Sequence, residues 1–129
     1  MKALLPGGWP RPRGYSNGIL VDGQQVFVAG MIGWDESEQL ADGFVAQFAQ
    51  ALRNTLAVLE EAGAGPEHVV RMTWYIKGLD EYRANLKDVG QVYREIMGKN
   101  FPTMAVIGIA DLVEKDALVE IETTAVIPR

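Results

Sequence analysis

The sequence predicts an α+β fold of the order β-β-α-β-α-β-β, a two-layer sandwich with both helices on one face of a sheet. Three observations carry this. Two segments repeat their apolar residues at helical steps of three and four. The segments around them read as strands with alternating faces. One late stretch, MAVIGIA from Met104 to Ala110, has no polar side chain at all. A strand apolar on both faces is usually covered on both. Two helices cover only one, so the pattern also predicts an oligomer.

The elements follow in order. Residues 1–14, MKALLPGGWPRPRG, hold three of the six prolines and three glycines, and predict an irregular arm. GILVDGQQVFVAG reads as strands at about 17–21 and 25–31 around Asp22-Gly23, a strong hairpin signal. GWDESEQLADG is a polar loop. From Gly43 to Ala62 the residues Val45, Phe48, Leu52, Leu56 and Leu59 mark a helix, with Asp42 as N-cap and Gly63 just past its end. HVVRMTWYIK is a strand with Val70, Met72, Trp74 and Ile76 on one face and a mixed second face. A second helix is expected over 79–97, capped by Asp80, with Tyr82, Leu86, Val89 and Tyr93 as its stripe. Gly90 interrupts that helix at a cost of about 1 kcal/mol relative to alanine, which points to close packing or a gap beside a ligand. Strands at about 102–110 and 117–126, joined by the charged turn DLVEKDA, complete a single domain over 1–129.

Composition narrows the function. The net charge is -5, from 17 acidic and 12 basic residues, which argues against nucleic acid as a partner. There is no cysteine, so disulfides and thiolate chemistry are excluded. The lone histidine, His68, reads as a surface residue and cannot build a metal site by itself. No apolar run approaches the roughly 20 residues that span a bilayer, and the N-terminus lacks a signal peptide's apolar core. A cytoplasmic protein with no membrane partner and no thiolate or His-rich metal site is expected.

Three segments carry a resemblance: GYSNGILVDGQQVFVAGMIGWD, LRNTLAVLEEAGAGPEHVVRMTWYI and VEIETTAV. Together, over roughly residues 14–127, the chain resembles the Rid (YjgF, reactive intermediate deaminase) family. The resemblance implies a chorismate-mutase-like fold and a homotrimer whose sheets form a central barrel. It implies ligand clefts at the subunit interfaces and a small organic ligand. In the deaminase branch it implies hydrolysis of enamines and imines to a keto acid and ammonia, without a cofactor.

Residue by residue, the family's early tyrosine falls on Tyr15, the glycine ending the second strand on Gly30, and the last strand's glutamate on Glu120. Glu120 would position or polarise water and Tyr15 would bind the ligand, with Met31, Trp34 and the backbone near Ala105 as further contacts. The departure lies in FPTMAV. The arginine that pairs with the substrate carboxylate in the deaminases is Met104 here, the cysteine two residues on is Val106, and a cleft asparagine is Gly90. The cleft this implies is larger and more apolar, suited to a substrate bulkier than 2-aminoacrylate, with aminomuconate-like ring-cleavage products as one candidate. Arg11, Arg13 and Arg71 are the candidates to replace the lost charge, Arg13 first because it stands nearest Tyr15. A metabolite-binding or sensing protein without turnover fits the same departure.

Overall fold

A computed structural model describes residues 1–129. Strand β1 (Lys2–Leu4) and β2 (Gly18–Leu20) form a small antiparallel sheet. The main sheet holds β3 (Gly23–Ile32), β4 (Val69–Lys77), β5 (Thr103–Ile109) and β6 (Val119–Pro128), in the order β3-β6-β4-β5. Helices α1 (Phe44–Glu61), α2 (Leu79–Ala84) and α3 (Leu86–Met97) complete the chain. The fold is mixed α+β, as the alternation of periods predicts.

The helical stripes form the core with one face of the sheet. Phe48, Leu52 and Leu59 of α1 meet Val89, Tyr93 and Met97 of α3 over Met72, Trp74, Ile76, Val119 and Ile121, all buried. Fully burying one such apolar side chain contributes about 1.5–3 kcal/mol. Gln47, Thr55 and Thr123 are the buried polar residues, Gln47 at 4% exposure. The Gln47 amide donates to the Asp116 carbonyl and accepts from the Leu118 N–H, tying α1 to the entry of β6. No helix is long and apolar enough to cross a membrane.

Four expectations are corrected. The arm is not wholly irregular, because Lys2–Leu4 pairs with Gly18–Leu20. Asp22-Gly23 does not close a hairpin. β2 joins the small sheet, while β3 pairs with β6, placing Val26 opposite Ala125 and Val28 opposite Thr123. The expected second helix is two, broken at Asn85, whose side-chain amide takes the Glu81 carbonyl at 2.7 Å and competes with the helical ladder. Neither Asp42 nor Asp80 caps a helix. Gly43 and Gly78 hold those positions without a side-chain bond. Gly63 does end α1, at φ 72°.

His68 differs from expectation as well. It is half-buried, and its Nδ1 accepts the Gly65 N–H at 2.9 Å, closing the short turn that feeds β4.

Candidate functional site

The site begins with how the arm is pinned. Ser16 donates its backbone N–H to the Pro102 carbonyl at 3.0 Å and its hydroxyl to the Phe101 carbonyl at 2.5 Å. That lays Arg13, Gly14 and Tyr15 along the entry of β5. On the other side, Tyr93 donates to the Asn100 carbonyl, and the Asn100 amide donates to the Met97 carbonyl at 2.7 Å. These bonds hold the α3–β5 loop. Between arm, helices and β5 lies a cavity of about 340 Å³, within the size range of small-molecule sites.

Its walls are largely apolar. Met104 and Val106 come from β5, Leu86, Val89 and Gly90 from α3. Aromatic rings line it in series: Trp74 and Tyr93 have centroids 5.9 Å apart, and Tyr93 stacks on Phe101 at 6.1 Å. Burial pushes the phenols of Tyr82 and Tyr93 up, so both stay protonated at neutral pH. Trp74 is only 6% exposed, and its indole N–H has no acceptor in the chain. The charged members of the lining are Arg13 and Arg94, and no carboxylate lines the cavity.

Arg13, Tyr15, Gly90, Met104 and Val106, singled out from the sequence, therefore come together here. Others lie elsewhere. Met31 packs against the core. Trp34 sits in the loop after β3, where the Asn54 amide donates to its carbonyl at 2.8 Å. Ala105, opposite Thr73 on β4, shares the sheet face turned away from the helices. Arg11 lines a separate surface pocket beside Tyr15. Sequence reasoning missed Arg94 and the pocket role of Trp74. The signal for Arg94 was its position four residues after Gly90, on the same helical face.

Glu120 and Gly30 form a second cluster. The β3–β6 register shifts between Val28 and Met31, a bulge containing Gly30. A Cβ on Gly30 would stand 2.7 Å from the carboxyl carbon of Glu120, so the missing side chain makes room for that carboxylate. Next along the same face, Glu122 accepts the Tyr75 hydroxyl at 2.8 Å. That hydrogen bond is the main cause of the raised Tyr75 phenol pKa, with desolvation and the Glu122 and Glu120 charges adding to it. Glu122 is thus engaged, while Glu120 has no ion-pair or hydrogen-bond partner in the chain. In register Glu120 pairs with Tyr75, whereas Met104 pairs with Met72, a core residue. Side chains alternate across a strand, so Glu120 and the cavity open on opposite faces of the sheet.

The chain matches the family described as Endoribonuclease L-PSP over residues 10–127. It is 36% identical over 119 residues to a RutC family protein of Pyrococcus abyssi, covering 90% of this chain and 89% of that one. It is 34% identical over 114 residues to the human 2-iminobutanoate/2-iminopropanoate deaminase, covering 87% and 79%. Among solved structures, a Rid-family protein of unknown function from Yersinia pestis superposes with a TM-score of 0.84 at 30% identity, covering 98% of both chains. RidA from an Antarctic Psychrobacter superposes at 0.72 with 28% identity, covering 98% of this chain and 94% of that one.

Proposed function

The chain belongs to the Rid (YjgF) family, and from that premise we propose that it is an imine deaminase acting as a homotrimer, with substrate held between subunits. The observation that carries this reading is the free carboxylate of Glu120, seated beside Gly30 with no cation to occupy it. Within one chain it faces away from the cavity. In the trimer, the cavity of one protomer receives Glu120 of the partner subunit, which completes the site.

The reaction is hydrolysis of a 2-imino acid. Water adds across the C=N bond, its oxygen bonding to the imine carbon and one of its protons passing to the Glu120 carboxylate. Glu120 returns that proton to the nitrogen of the tetrahedral adduct. The hydroxyl proton of the adduct then passes through the Glu120 carboxylate to the nitrogen as the C–N bond breaks, so that ammonia leaves and the carbonyl of the keto acid forms. Such proton transfer contributes about 10²–10⁴-fold to rate. Tyr15 supplies a hydroxyl at the cavity edge. The apolar lining favours imino acids bulkier than 2-iminopropionate.

The test is ammonia release from 2-imino acids generated in place by an amino-acid oxidase. Wild type is expected to accelerate release, and Glu120→Gln to lose at least 100-fold in kcat while still binding keto acid. Equal rates in the two proteins sink the reading.

A second reading, a metabolite-binding protein without turnover, is favoured by Met104, which stands where the family's deaminases carry their substrate arginine. An inert wild type alongside an active Met104→Arg would support it. The net charge of -5 weighs against the nuclease activity in the family's description.

A further inference from the structure

We infer that Arg94, together with Arg13, forms the anion-holding end of this cavity, and that the ligand is a carboxylate carrying a ring or a large apolar body. The inference rests on the reading of the cavity as the substrate site, though not on the chemistry that follows binding. Three features of the structure carry it.

The first is Gly90. A Cβ there would stand 3.3 Å from Nη1 of Arg94, with nothing else within 4 Å. The guanidinium therefore lies back over the gap left by the missing side chain. The glycine, costly in the middle of a helix, leaves space that Arg94 uses.

The second is charge. Neither Arg94 nor Arg13 has a carboxylate within ion-pair distance. Arg83, one helix earlier, is by contrast paired with Asp80 at 3.4 Å. In a chain of net charge -5, the cavity lining holds two guanidiniums and no acid. A guanidinium fork matches a carboxylate with two parallel hydrogen bonds.

The third is the body of the cavity. Nine of its thirteen lining residues are hydrophobic, and Tyr93, Phe101 and Trp74 present rings. Met104, across from them, offers a sulfur that packs well against aromatic edges. A three-carbon acid would leave most of about 340 Å³ unfilled.

The experiment is calorimetric titration with phenylpyruvate, pyruvate and the uncharged benzyl methyl ketone. The proteins are wild type, Arg94→Gln, Arg13→Gln and Arg83→Gln, each checked for an unchanged circular dichroism spectrum. Phenylpyruvate is expected to bind wild type at least tenfold tighter than pyruvate. Arg94→Gln should weaken phenylpyruvate at least tenfold and leave the ketone unchanged, and Arg13→Gln should act in the same direction. Arg83→Gln should behave as wild type. No phenylpyruvate binding, equal affinity for pyruvate, or an Arg94→Gln protein that binds as wild type does would each overturn the inference. Equilibrium binding needs no turnover, so the two readings fail separately. Arg94-dependent binding without ammonia release refutes only the deaminase. Ammonia release that is unchanged in Arg94→Gln refutes only the anion site.

Discussion

At Gly30 a missing side chain decides where a carboxylate goes. The Glu120 side chain occupies the volume a Cβ would need, and its γ-carbon and carboxyl oxygen would both stand 2.9 Å from that atom. The neighbouring backbone is not what blocks substitution there; the obstacle is a side chain that can rotate. Gly30→Ala is therefore expected to fold and to force Glu120 into another rotamer, at about 0.5–1.5 kcal/mol. A crystal structure of the variant with Glu120 unmoved would contradict this account. Urea denaturation should show the corresponding small loss of stability.

At the scale of elements, what was readable locally came out and what depended on distant partners did not. The stripe of Phe48, Leu52 and Leu59 marked α1 because helical period is a local property. The Asp22-Gly23 signal failed because strand pairing is a choice among distant segments, and β3 matched β6 better than β2. The break at Asn85 was hidden because Tyr82, Leu86, Val89 and Tyr93 keep their spacing across it. The cavity was half legible. Tyr15, Gly90, Met104 and Val106 were found through the resemblance, whereas Arg94 looked like any solvated helix charge. Only the space above Gly90 distinguishes it. That space gives a prediction for α3. Because the nearest obstacle is the flexible end of Arg94, Gly90→Ala should stabilise the fold by about 0.5–1 kcal/mol through helix propensity. A higher urea midpoint with unchanged slope would show it. A destabilised variant would mean that the helix cannot accept a methyl group there.

For the whole molecule, the face of the sheet opposite the helices is the unfinished part. No element of the chain covers it, and β5 is an edge strand paired with β4 and otherwise only bridged at Thr103 by Ser16. Phe27 is 72% exposed and Ile107 43%. Ile107 lies beside Tyr75 on that face, with Ala105 and Ile109 on the same side of its strand. Apolar side chains in this number on a sheet face are stable when another layer buries them. In the proposed trimer that layer is the sheet of the neighbouring copies. Burying each large side chain there contributes about 1.5–3 kcal/mol, and a charge in its place reverses the sign. Ile107→Glu and Phe27→Glu leave the helix-side core untouched, so each should fold while assembling poorly. Light scattering on a sizing column should give three times the 14.2 kDa chain mass for wild type and a shift toward a single chain for the variants. A wild type that runs as one chain at micromolar concentration ends the trimer proposal. The variants also connect assembly to chemistry. Glu120 and the cavity open on opposite faces of one sheet, so a variant that dissociates should lose ammonia release even though it keeps every proposed site residue.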